Sequence, residues 1–267
     1  MTANPRRSEF GDFLRSRREK LRPETVGLPS GRRRRTPGLR REEVAELADI
    51  GVDWYIRLEQ GRAVNPSVAT IEALARALRL GEVDYAHLRA LARHTYHRAF
   101  SRECVPAMVR RLVERLDQPA YVTGRRWDIL AWNAAATAIF TDFGRQAEEE
   151  RNILSYMLTE PGARQLFGAA WATEAKRMVA QFRITYDLWA GEPAFLELVA
   201  RLRRGSPEFA IWWEEHDIRS VVSGQKLLHH PTKGLLCFAY ASFQSNDDPA
   251  LKLVIYTPCD PPALPTE

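Results

Sequence analysis

Between residues 39 and 61 the apolar positions form two short amphipathic repeats separated by a break of a few residues. In the first, Leu39, Val44, Leu47 and Ala48 share a face at three- and four-residue spacing. In the second, Tyr55 and Leu58 make the inward pair, and Val52, Asp53, Ile56 and Arg57 point away from it. Ala45 puts a small side chain where two helices would cross. Asp49 stands at the break, and Asp tolerates the left-handed backbone that a tight corner needs. Two helices with such a corner fit a helix-turn-helix, whose second helix lies in the major groove of DNA. An ordinary helical hairpin has the same spacing, so periodicity alone leaves both readings open.

The pattern on either side predicts more helices. One spans 8–21, capped by Ser8, with Phe10, Phe13, Leu14 and Leu21 inward and Arg15, Arg17, Arg18 and Lys20 on the other face. Proline and glycine mark 22–38 as a loop. Ser67 caps a helix that returns Ile71, Leu74, Ala75 and Leu78 to the core, and another from near Val83 turns Tyr85, Leu88, Leu91 and Ala92 inward. Further on, 121–123 and 127–132 around Gly124 read as a β-hairpin, and Asn133 caps an alanine-rich helix. Helical stretches follow at 151–160, 163–190, 192–204 and 206–216, then strands at 218–229, 234–243 and 251–257. The expected architecture is multidomain. An all-α helix-turn-helix domain at 1–97 and a linker at 98–104 precede an α+β domain with an antiparallel sheet at 105–258 and a tail at 259–267.

Charge shifts the balance toward DNA. Residues 1–100 hold 20 Lys and Arg against 13 Asp and Glu, and the remainder hold 19 against 21. Only the front of the chain suits a polyanion. Arg32, Arg33, Arg34 and Arg35 precede the helix pair, Arg40 and Arg41 open it, and Arg62 follows it. Such a cationic border serves a phosphate backbone and has little use in a structural hairpin. The arginine-rich loop either touches DNA, through phosphates or an A·T-rich minor groove, or stays solvated. No apolar run reaches the length of about 18 residues needed to span a membrane, and the first residues lack the core of a signal peptide. Three widely spaced cysteines argue against a disulfide framework and favour a cytoplasmic setting. His94 and His97 lack companions to complete a metal site, so neither metal nor cofactor is assigned. There is no GxSxG, HExxH, Walker or dinucleotide motif, and the His216-Asp217 cluster beside Glu214 and Glu215 is weak ground for an enzyme.

The stretch RRTPGLRREEVA running into RLEQGR, with Asn65-Pro66-Ser67 after it, resembles the phage-repressor/Cro-type helix-turn-helix, and more closely the MmyB-like regulators. Asp49 and Gly51 depart from that family's Gly at the turn and Ser or Thr at the cap. From about Val105 to Pro258 the chain resembles the MmyB-like ligand-binding domain, a PAS-like sensor. Pro119 to Val122, Trp127 to Asn133, Arg151-Asn152, Trp171, Phe182-Arg183 and Ser206 to Asp217 carry the match, continued by His230-Pro231, Gly234 and Leu253 to Thr257. The resemblance implies a transcription regulator whose sensor holds a small hydrophobic ligand such as a fatty acyl chain; because a lone module makes few base contacts, a homodimer on paired half-sites of double-stranded DNA is expected.

Roles follow from a docked helix-turn-helix. Arg57 is placed for a bidentate contact to guanine, Val52 and Ile56 for a thymine methyl, and Arg41 and Arg62 for phosphates. Asp53 either accepts from cytosine or favours the helix N-terminus. Trp54 either packs or touches the backbone, and Glu59 is structural. In the sensor, Phe167, Trp171, Met178, Phe182, Tyr186 and Trp189 form an aromatic-rich helix face that is either plain core or the wall of a cavity. Arg183 is the expected carboxylate anchor, unless it pairs with a carboxylate of the chain. Asn133, His216 and Arg219 are further ligand candidates, and Asn133 doubles as a helix cap. Two alternatives stay open: haem held by His216, His229 or His230, and a C-terminal domain that serves only dimerisation or protein docking.

Overall fold

Five helices open the chain: α1 (Pro5–Lys20), α2 (Arg41–Leu47), α3 (Val52–Glu59), α4 (Val68–Ala77) and α5 (Glu82–Ala92). The computed structural model describes residues 5–29, 38–62, 65–92, 99–220 and 223–260. Arg32, Arg33, Arg34, Arg35, His94 and His97 lie outside the described residues. Phe10, Phe13, Leu14, Leu39, Val44, Ala45, Tyr55, Leu58, Ile71, Leu74, Leu88 and Leu91 form one buried cluster. Each large apolar side chain in it contributes about 1.5–3 kcal/mol by leaving water. Asp49 takes the left-handed backbone (φ 53°) expected at the corner, and the Ile50 N–H closes α2 on the Ala45 carbonyl. Gly51 caps α3 with an extended backbone and no side-chain bond. A Cβ on Gly11 would sit 2.3 Å from the Glu59 carbonyl oxygen, so only glycine lets α1 lie this close to the end of α3.

Two positions in this region differ from the periodic reading. Leu47, expected inward, is 39% exposed, because it is the last residue of a seven-residue helix. Arg18, expected on the solvent face, is 3% exposed, drawn in by a buried carboxylate described below.

The remaining elements are α6 (Ala107–Arg115), β1 (Ala120–Thr123), β2 (Ile129–Trp132), α7 (Ala134–Ile139), α8 (Ile153–Thr159), α9 (Pro161–Phe167), α10 (Trp171–Leu188), α11 (Pro193–Gly205), α12 (Pro207–Glu214), β3 (Gly224–His230), β4 (Gly234–Gln244) and β5 (Lys252–Pro258). The sheet runs β2-β1-β5-β4-β3, antiparallel at every pairing. The last strand therefore sits at the centre, between two hairpins. Side chains alternate across a strand. Val122, Leu253 and Ile255 accordingly share one face, where they cluster with Val109, Val113 and Leu116 from α6 and its C-terminal end. Helix α6 has no counterpart among the expected helices, because it exposes Met108 and Leu112 while burying Val113, which blurs the apolar stripe. The single helix expected over 163–190 is broken at Gly168, whose backbone (φ 50°, ψ −134°) suits glycine.

By compactness the chain forms two units. The first comprises 1–99 with 183–197 and 212–219; the second comprises 100–182, 198–211 and 220–267. Residues 183–188 of α10 and Ile218 thus count with the helical unit rather than the sheet, and Ile218 packs on its apolar cluster.

Candidate nucleic-acid interface and ligand cavity

Helix α3 turns Tyr55 and Leu58 into the core and leaves Val52, Asp53 and Arg57 exposed. Ile56 is half-buried at the edge of that face, and Trp54 packs partly against the core. Arg40 and Arg62 are exposed at the two ends of the helix pair. One solvent-facing strip therefore carries a methyl-rich residue, a carboxylate and a guanidinium, with cations beside it. This is the composition needed to meet base edges and flanking phosphates.

A buried carboxylate fixes that strip. Glu59, at the end of α3, has no exposed side-chain surface and pairs with Arg18 of α1 and Arg41 of α2. Tyr55 donates its hydroxyl to Glu59 at 3.0 Å, and Arg18 also donates to the Leu39 carbonyl at 3.0 Å. Burial pushes the Glu59 pKa up, but hydrogen bonds and charge from the two arginines outweigh it and hold the group below the ordinary carboxylate value. Arg41, expected on a phosphate, spends its Nε–H on Glu59 at 2.6 Å with its side chain 41% exposed.

In the second unit, the sheet face opposite α6 encloses a cavity of about 100 Å³. Tyr121, Phe140, Tyr156, Phe167, Tyr240 and Tyr256 supply aromatic surface, and Met157 and Met178 supply pliable apolar surface. Three cations reach the same space: Arg177 of α10, Lys226 of β3 and Lys252 of β5. Glu174 pairs with both Arg177 and Lys226. Lys252 has no hydrogen-bond or ion partner among the described residues, and burial alone lowers its pKa. The strand register explains the grouping, since Thr123 faces Lys252 and Tyr240 faces Tyr256 across neighbouring strands.

None of the seven residues expected to hold ligand lines this cavity. Asn133 caps α7 through the Ala136 N–H at 2.8 Å and donates to the Leu116 and Gln118 carbonyls. Trp171 donates its indole N–H to the Met157 carbonyl at 2.8 Å, and Phe182 packs edge-on against Trp127. Arg183, Tyr186 and His216 belong to the first unit. There Arg183 lies 3.6 Å from Asp187, 3.8 Å from Glu9 and 3.2 Å from His216 Nδ1. It donates to the Trp213 carbonyl and stacks 3.7 Å over the Trp213 ring. Asp187 in turn meets His87 Nε2 at 2.9 Å. Arg183 thus faces Asp187 of its own helix, with the Glu9 carboxyl beside it, and lies outside the cavity lining. His229 and His230 are also absent from the cavity lining, and His230 Nε2 lies 2.9 Å from the Ala138 carbonyl.

Residues 9–88 match the pattern of a helix-turn-helix domain. Residues 105–263 match that of the MmyB-like transcription regulator ligand binding domain. The chain belongs to the MmyB-like transcription regulators. No curated protein matches it.

This MmyB-like regulator is a DNA-binding transcription regulator with a ligand-binding domain. Among the described residues, no helix is long and apolar enough to cross a membrane. None of the regulator's three cavity cations is among the residues expected to hold ligand, since the expected anchor is Arg183. A signal was present in β5, where Lys252, Val254 and Tyr256 alternate onto one face with a lone ammonium between apolar neighbours.

Proposed function

We propose that the second unit is a PAS-like sensor for an anionic amphiphile, with a fatty acid as the model ligand, and that Lys252 is its charge anchor. One observation carries the reading: an ammonium without a partner among the described residues, set in an aromatic-lined cavity, its pKa lowered by burial. Even a half-buried cation without a counter-charge loses hydration, and an incoming carboxylate offsets that cost. At about 100 Å³ the cavity is smaller than typical ligand sites. A long acyl chain therefore has to open it, and Met157 and Met178 are the side chains best able to give way. Titration calorimetry with laurate tests the assignment. Lys252→Met is expected to weaken binding by about 10-fold or more, the size of a charge-assisted hydrogen bond. Undiminished laurate affinity in a folded variant would remove Lys252 as anchor.

Val52, Asp53, Ile56 and Arg57 are the proposed base-reading residues, with Arg40, Arg41 and Arg62 on phosphates and Trp54 packing at the edge. A homodimer would place two such helices on half-sites about 34–36 Å apart. Arg57→Ala is expected to lose about 1–3 kcal/mol of discrimination at one base pair, whereas Arg62→Ala weakens all sequences alike and lowers the salt dependence. Fluorescence anisotropy on single-base operator variants at two salt concentrations separates the two effects. Helix α10 supplies Arg177, Met178 and Gln181 to the cavity and carries Arg183 and Asp187 of the first unit's ion network. Its displacement by ligand is the proposed route of regulation, limited to the ligand's differential affinity for the two states.

A further inference from the structure

The antiparallel register that pairs Phe238 with Pro258 continues one step outward to Cys237 and Cys259. There the Cys259 N–H donates to the Cys237 carbonyl at 3.0 Å. The two sulfur atoms lie 2.8 Å apart, inside the contact distance of two thiols that merely pack. Cys237 is buried and Cys259 half-exposed, while the third cysteine, Cys104, is exposed elsewhere in the chain. The thiol hydrogen bond to Cys259 pushes the Cys237 pKa up to about 11, so Cys237 is the poorer first nucleophile. From this pair, β4 leads to Tyr240 and Ser242 and β5 leads back to Tyr256 and Val254, all four of which line the cavity.

We propose that Cys237 and Cys259 are a reversible oxidation site: an intramolecular disulfide that staples β4 to β5 beside the ligand cavity. The oxidant is a low-molecular-weight disulfide such as oxidised glutathione. The Cys259 thiolate attacks one of its sulfurs, forming a mixed disulfide and releasing a glutathione thiolate. The Cys237 thiol then gives up its proton and attacks Cys259 Sγ, forming the protein disulfide and expelling the second glutathione thiolate. Two protein thiols are oxidised, and one glutathione disulfide is reduced to two thiols. Because the strands are already paired in register, the bond requires no change of partner. Its effect is to clamp the far end of the β4–β5 ladder, three residues from the cavity-lining pair Tyr240 and Tyr256, and to resist the spreading of the two strands that a bulky ligand needs.

The full-length protein, incubated with oxidised glutathione and then alkylated, tests this by intact mass and tryptic mapping without reduction. The expected result is a loss of two hydrogen masses, with Cys104 alkylated and the peptides spanning 234–252 and 253–267 joined. Dithiothreitol reverses it, and Cys259→Ser abolishes it while Cys104→Ser does not. Three unlinked, fully alkylated cysteines would overturn the proposal, and so would a link that runs through Cys104. Because the wild-type map alone decides the pairing, a variant that folds poorly leaves the test intact. The chemistry does not depend on the ligand assignment. Oxidised protein is further expected to bind laurate more weakly than reduced protein, and that comparison alone rests on the proposed sensor reading.

Discussion

Glu59→Ala is expected to cost the first unit about 3–5 kcal/mol, the range for removing one partner of a buried ion pair. The reason is what remains. Arg18, 3% exposed, would keep its charge with only the Leu39 carbonyl and the partly exposed Glu19 to answer it. Tyr55 would lose the acceptor for a buried hydroxyl. Thermal and urea unfolding measure the loss, and DNA affinity should fall with it, because Glu59 ties α1 and α2 to the end of α3. The same carboxylate makes stability depend on acid. Its pKa in the folded protein lies below the ordinary value of 4.5. The contribution is therefore fully present above about 4.5 and is lost as pH falls through the folded value. Glu59→Gln should flatten that acid limb; an unchanged limb would show that other carboxylates govern it.

Arg183→Met is expected to destabilise the same unit by a similar amount, about 3–5 kcal/mol, while leaving laurate affinity within about twofold of wild type. Arg183 is 2% exposed and faces Glu9, Asp187 and His216, none of which lines the cavity of the second unit. A large loss of laurate binding with stability intact would restore it as a ligand anchor. The pH response here has the opposite sign to that of Glu59. Burial first, and the nearby Asp187 next, raise the Glu9 pKa to about 8 despite the opposing pull of Arg183. A carboxyl raised in this way adds stability that is complete below its unfolded value and is lost as pH rises through about 8. Asp12 adds to the negative field at Glu9, while burial and Arg183 lower the His216 pKa to about 4. Glu9→Gln should remove that loss, as followed by thermal unfolding between pH about 4.5 and pH about 8, the ordinary and the raised values.

Local pattern determined a good deal about this regulator. Tyr55, Leu58, Val44, Ala45, Leu74 and Leu88 are all core residues at the spacing that predicted them. Asp49 adopts the corner conformation its side chain tolerates, and Val52, Asp53 and Arg57 face solvent on the second helix of the motif. The strand order and the broken helix at Gly168 add what periodicity could not supply. Hydrophobic repeat identifies which face of an element is buried, but it does not say which other element covers that face.

Charge shows the division most clearly. In sequence Arg18 and Arg183 look like any other arginine, one suited to a solvent face and the other to a ligand. Arg18 is instead buried against the distant Glu59 carboxylate, and Arg183 between Asp187 and the distant Glu9 carboxyl. Lys252, one residue among many lysines and arginines, is the cavity cation left without a partner among the described residues. An ion's role depends on which opposite charge lies within a few ångströms and how much water is excluded, since both set its energy. Sequence spacing carries neither quantity. The two amphipathic helices and their basic border were therefore legible from the chain alone, whereas the cavity and the cations that line it emerged only when β5 was seated between β1 and β4.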